Sequence, residues 1–218
     1  MLKCAPFLFV FLLLAANLSA GAFSLFDFPL KAEDKAAFET RFSAFAQHPV
    51  IRGNFRQTKH IPKLNRDFIS EGSFVIASGN GILWNSQKPF PSTLVIAKDK
   101  IVQKNSAGKS EVMKASENAA FKSFADMISS IFSGDPKKLY SRFSVFNKGS
   151  AGAWELGLVP IDASVRSVIL SIELSGNANF PKTIRLKNAD SSVTLYELSG
   201  ESFADSLSAA EKDAFDGR

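Results

Sequence analysis

The feature that most constrains this chain is the stretch from Gly53 to Val102. Four short runs alternate apolar and polar residues there: Gly53-Phe55-Gln57-Lys59, Phe68-Gly72-Phe74-Ile76, Gly81 to Trp84, and Leu94 to Ile96. Pro/Asn and Gly/Asn clusters separate them. A side-chain period of two broken by such residues predicts an antiparallel meander. Ser78-Gly79-Asn80-Gly81 is the turn between the second and third runs, since Gly and Asn tolerate positive φ. Ile82 and Trp84 then share a face. On the second run Phe74 and Ile76 point one way and Ile69 and Val75 the other, so either face of that strand has a claim on the core. Pro89 and Pro91 confine the next connection to a loop or edge.

Helical patterns flank the meander. Glu33 to Ala46 carries Phe38, Phe42 and Phe45 on one face and stops before Pro49. From Ser116 to Ser133 the apolar side is Phe121, Phe124, Ile128 and Ile131, with Gly134 as the stop. Asp135-Pro136 reads as an N-cap and first-turn proline opening a short helix through Tyr140. Strands resume at Trp154-Leu156-Leu158, Val168-Leu170-Ile172-Leu174, Ile184-Leu186 and Val193-Leu195, the last extending towards Leu198. Ser208-Ala209-Ala210-Glu211 is a capping box for a frayed final helix. An apolar helical face inserted between runs of strands needs an apolar surface to cover.

The chain opens with Met1-Leu2-Lys3, an apolar run from Phe7 to Leu14, and Ala20-Gly21-Ala22, which is the pattern of a secretory leader cleaved after about Ala22. The leader, 1–22, takes Cys4, the only cysteine, with it, so the exported part, 23–218, has no disulfide and relies on its core. That length suits a single all-β domain. The formal charge of +5 falls by one with Lys3, and the Lys and Arg residues are scattered, which argues against nucleic acid as a partner. Phenylalanine is the unusual component, 21 residues against two Tyr and two Trp. An aromatic without a polar handle fits either a Phe-rich core or a lined apolar cavity.

Catalytic and metal-binding patterns are absent. His48 and His60 have no partner ligands at metal spacing. Ser106-Ala107-Gly108-Lys109 matches S-x-x-K formally but falls in a predicted hairpin turn, and no G-x-S-x-G occurs. No catalytic residue, no metal and no cofactor is expected.

Phe55-Arg56-Gln57, the strand-opening Gly72, Trp84 on the following strand, Pro89 before the next, and Trp154-Glu155-Leu156 running to Pro160 stand in an order and spacing that resemble the LolA-like lipoprotein carriers. The resemblance implies an α+β fold that is mainly β: an incomplete antiparallel barrel with a helical lid, hollow for acyl chains. It implies a periplasmic, monomeric chaperone of acylated lipoprotein or lipid cargo, working between an inner-membrane donor complex and an outer-membrane acceptor. The implied lining is Phe55, Phe74, Ile76, Trp84 and Ile96 from the meander, Leu170 and Ile172 from the later strands, and Phe121, Phe124 and Ile128 from the lid. The family's Arg-Pro pair before the Trp is missing. Ala77-Ser78-Gly79-Asn80 stands there instead, which leaves the latch of the lid and the identity of the cargo open. Two other readings remain: an envelope protein-binding module with a filled core, and a lipid-modifying hydrolase.

Overall fold

Strand β1 (Val50–Ile61) is the centre of the architecture, because it pairs on one side with its hairpin partner β2 (Arg66–Ala77) and on the other with the last strand, β11 (Val193–Ala204). The computed structural model describes residues 24–97, 99–114, 116, 119–150, 152–177 and 180–217; side chains at 45, 46, 119–121 and 150 are outside that description. The leader assigned to 1–22 lies outside the described residues.

From β2 the chain continues as a meander through β3 (Gly81–Lys88), β4 (Ser92–Ala97), β5 (Lys100–Lys104) and β6 (Ser110–Lys114). A second meander runs through β7 (Phe143–Ser150), β8 (Ala153–Pro160), β9 (Ile169–Asn177) and β10 (Phe180–Asn188) to β11. Pairing of β1 with β11 fuses the two into one eleven-stranded antiparallel sheet, ordered β6-β5-β4-β3-β2-β1-β11-β10-β9-β8-β7. The sheet is not closed: β6 and β7 are its two edges.

Those edges are consecutive in sequence, and what joins them is helical. Helix α2 (Ala119–Phe132) and helix α3 (Pro136–Arg142) bridge from β6 to β7 and therefore cross the open side of the curled sheet. Asp135 caps α3, its Oδ1 accepting from the Lys137 and Lys138 amides at 3.0 and 3.4 Å. Helix α1 (Lys35–Ser43) precedes β1, continues as a 3-10 turn over Ala44–Gln47, and buries Phe38 and Phe42 in stacked contact; the Phe45 side chain lies outside the described ones. A short helix, α4 (Ala163–Arg166), fills the β8–β9 connection.

The final helix, α5 (Ala209–Asp216), departs from the frayed end that the sequence predicts. Its capping box forms, with Ser208 Oγ accepting from the Glu211 amide and Glu211 Oε2 from the Ser208 amide. It then docks on the outer face of the first meander, where Phe215, Leu207 and Ala214 cover Val50, Val75, Leu83, Val95 and Val102. Arg52 fixes it there through a two-pronged pair with Glu211, both N···O distances being 2.6 Å. The apolar residues on both faces of β2 are thereby explained: Phe74 and Ile76 face the inside, and Val75 faces α5.

Gly72 has a steric role. A Cβ built there would sit 2.0 Å from the Asn85 carbonyl oxygen, beside an irregularity in which Glu71 and Gly72 pair with Lys88 and Ser86. Only glycine allows β3 this approach. Ser106 to Lys109 is the β5–β6 turn, held by Asn105 Oδ1, which accepts from the Ala107 and Lys109 amides at 3.0 Å.

Candidate functional site

The registers of the first meander arrange its inward side chains in rows. Ile51, Ile76, Ile82, Ile96 and Ile101 are mutual cross-strand partners, so one row of isoleucine runs across five strands. The next row is Gly53, Phe74, Trp84, Leu94 and Gln103; the one after it is Phe55, Gly72, Ser86 and Ser92. Gln57 follows, opposite Tyr196 of β11. Aromatic rings tie the middle rows together: Trp84 stacks on Phe55 at 4.1 Å and on Phe74 at 5.8 Å, and Tyr196 meets Trp84 edge-on at 5.1 Å. Phe74 of β2 also stacks on Phe180 of β10 at 6.0 Å, although β1 and β11 lie between them in the sheet. The sheet curls enough to bring its halves face to face.

Between the curled sheet and α2 is a hollow of about 310 Å³. It is bordered by β3, β4 and β5 on one side, by β9 and β10 on the other, and by α2 above, through Phe124, Ile128, Ile131 and Phe132. Among the described residues, none of the side chains lining it is charged. The polar ones are Gln57, Ser86, Ser92, Gln103 and Tyr196. Burial pushes the Tyr196 hydroxyl up to about 12, so it stays protonated and able to donate.

Helix α2 presents two stripes. Met127 is buried in the main core beside Leu158 and Ile172, Ile131 is buried there and also reaches the hollow, and Phe124, Ile128 and Phe132 are half-buried and border the hollow. Polar contacts hold the helix from outside. Arg142 donates to Asp126 at 3.0 Å, linking α3 to α2, and Ser123 donates to Asp162 at 3.0 Å, linking α2 to α4. Asp162 also accepts from Ser164 and from the Val165 amide, and these bonds, with that from Ser164 foremost, pull its carboxyl down to about 2. The 77–80 stretch has no part in these ties.

The family assignment follows from the sequence. Residues 47–211 match the model of the family described as outer membrane lipoprotein carrier protein LolA. The chain belongs to the LolA family. No protein of curated function matches it. Solved structures that it resembles include a LolA superfamily protein from Nitrosomonas europaea (9% identity, TM-score 0.47, covering 82% of this chain and 96% of that one). A DUF1329 family protein from Desulfovibrio piger (6%, 0.47, 82% and 95%) and an outer membrane lipoprotein-sorting protein domain from Vibrio parahaemolyticus (10%, 0.46, 85% and 99%) are similar to the same degree.

Of the lining expected for this LolA-family chain, Trp84, Ile96, Phe124, Ile128 and Ile172 border the hollow together. Phe55, Phe74 and Ile76 sit on the same inward face but are buried, at 3%, 1% and 6% exposure, and form the wall behind Trp84. Leu170 is a correction. It is 39% exposed, and its place is taken by Ile169. The cause is a bulge: Asn188 pairs with Ile169 and Lys187 with Ser171, leaving Leu170 as the extra residue and reversing the alternation from there backwards. The Phe121 side chain lies outside the described ones. Residues that the sequence reading missed, chiefly Leu94, Ile184, Leu186 and Tyr196, follow from counting by twos along strands whose neighbours are already inward. Their contribution needed only the register. Neither histidine takes part: His60 is exposed and bonded to Asp67 at 2.8 Å, and His48 stacks on Phe203 at 3.9 Å.

Proposed function

We propose that this LolA-family protein is a periplasmic carrier that shelters the acyl chains of lipoproteins, or of related lipids, in the hollow beneath α2. It ferries them from an inner-membrane donor to an outer-membrane acceptor without catalysis, after loss of the leader at about Ala22. The observation that carries this reading is a hollow whose described lining holds no charged side chain, walled by aliphatic and aromatic groups and roofed by a helix whose cargo-side stripe is mostly half-buried.

The size of the hollow defines how the carrier works. A dry cavity of roughly 150 Å³ takes one benzene, so a hollow of about 310 Å³ holds on the order of twelve carbons as it stands. At about 0.8 kcal/mol per buried CH₂, such a chain gains on the order of 10 kcal/mol, which is tight binding before costs are counted. Longer or multiple chains require α2 to lift. Lifting separates Arg142 from Asp126 and Ser123 from Asp162, two part-buried ties worth about 1 kcal/mol each, weak enough to be exchanged. The roof thus sets a cost on loading that keeps cargo releasable.

The test is extraction of lipid that copurifies with the folded protein, identified by mass, together with uptake of a neutral acyl probe by stripped protein. Acylated species in the extract and saturable uptake are the expected results. An empty extract with no uptake would leave an envelope protein-binding module with a filled core, and turnover of an acyl ester would replace the carrier by a hydrolase.

A further inference from the structure

The inward face of the first meander changes chemistry along its length. Its floor is the all-isoleucine row; an amide enters at Gln103 in the next row, hydroxyls at Ser86 and Ser92 in the third, and a second amide at Gln57 in the fourth. Same-face residues on a strand stand about 7 Å apart, which puts Gln57 about 20 Å from the isoleucine floor. All four polar side chains border the hollow, and among the described residues no charged one does. On β1 the first cation on this face is Lys59, one row beyond Gln57 and opposite Phe68.

We propose that Gln57, Ser86, Ser92 and Gln103 form a neutral collar that receives the ester or amide linkage of an acyl lipid, and that the hollow discriminates against acyl compounds charged at that depth, free fatty acids among them. The proposal rests on the acyl-carrier reading and specifies which acyl compounds the carrier accepts. A chain entering methyl-first towards the isoleucine floor brings its carbonyl to the level of the collar. Amides and hydroxyls both donate and accept, so they replace the water that an ester or amide gives up. The Tyr196 hydroxyl, protonated throughout the physiological range, adds a donor beside Gln57. Gln103 is exposed but Gln57, Ser86 and Ser92 are half-buried, so at their depth a carboxylate loses part of its water and meets no cation among the described residues, and an ammonium meets no anion; a desolvated charge left unpaired is costly.

The experiment is displacement of a pyrene-labelled monoacylglycerol by four competitors of equal chain length: a monoacylglycerol, an N-acyl amide, the free fatty acid at alkaline pH, and an alkyltrimethylammonium. The two neutral compounds are expected to compete equally, and the two charged ones about thirtyfold more weakly or worse. The double variant Gln57→Leu, Gln103→Leu, checked for folding by thermal unfolding, should bind the monoacylglycerol about tenfold more weakly while taking up a plain alkane as before. Equal affinity for the fatty acid overturns the collar while leaving the carrier intact, and so does loss of fatty-acid binding in Lys59→Met, which would place the head at the mouth. Failure of the labelled probe itself to bind overturns the carrier reading and the collar with it.

Discussion

The two stripes of α2 separate cargo contact from core packing, and paired truncations test that division. Met127 is 2% exposed and packed among Ile131, Leu158 and Ile172, so Met127→Ala opens a void in a filled region and costs about 2–5 kcal/mol. Phe124 is half-buried against a hollow that already exists. A packed Phe→Ala costs about 3–5 kcal/mol, but here the change widens a void instead of creating one, and about 1–2 kcal/mol is expected. For a chain of this size 1 kcal/mol moves Tm by about 2–4 °C, giving a fall of about 2–8 °C for Phe124→Ala and about 4–20 °C for Met127→Ala. Affinity should respond in the opposite order. A phenyl group that gives half of its burial to cargo contributes about 1–1.5 kcal/mol, or roughly tenfold in Kd. Phe124→Ala should therefore weaken an acyl probe about tenfold, and the Met127→Ala protein that remains folded should bind nearly as the wild type does. Thermal unfolding by circular dichroism and probe titration on the same preparations give both numbers. Destabilisation by Phe124→Ala equal to that by Met127→Ala, with probe affinity intact, would make Phe124 ordinary core and refute the roof.

Gly72→Ala should prevent stable folding or shift Tm down by more than about 10 °C, since the methyl meets the Asn85 carbonyl oxygen at 2.0 Å; a wild-type melting curve would remove the close approach. Trp84 borders the hollow whereas Trp154 is buried with its Nε1 donating to the Asn177 carbonyl at 2.6 Å, so cargo should shift wild-type emission and leave Trp84→Phe unresponsive. A shift that survives Trp84→Phe would place the cargo elsewhere. Acid should loosen α5: the Arg52 hydrogen bond foremost lowers the Glu211 carboxyl from 4.5 to about 2, so its contribution is whole above the higher value and is lost as pH falls through this window. Amide protection over Ala209–Asp216, taken against the intrinsic exchange rate at each pH, should fall at about pH 3 relative to about pH 6, with Glu211→Gln weakly protected at both; pH-independent protection would show that the pair does not hold the helix.

Local pattern was enough for much of this architecture. The period of two from Gly53 to Val102 specified the meander, because a half-buried strand cannot hide its alternation, and the Asp135-Pro136 and Ser208–Glu211 signals marked helix starts through hydrogen bonds that need no tertiary partner. The inward residues Trp84 and Ile96 followed from the same parity. Strands β6 and β7 did not announce themselves. The edge strand β6 is exposed throughout and has no apolar face to alternate. The placing of α5 was illegible too, since docking depends on Phe215 meeting four valines and a leucine drawn from five strands and on Arg52 reaching a carboxylate 159 residues away. Leu170 shows the limit of parity: one extra residue in β9 exchanges inside for outside, and only the pairing with β10 reveals it. The hollow itself belongs wholly to tertiary structure. Apolar residues at inward positions describe a filled core and an empty one equally well. What decides between them is that β1 pairs with β11, which makes β6 and β7 the two edges of one curled sheet and obliges the helices between them to span the opening.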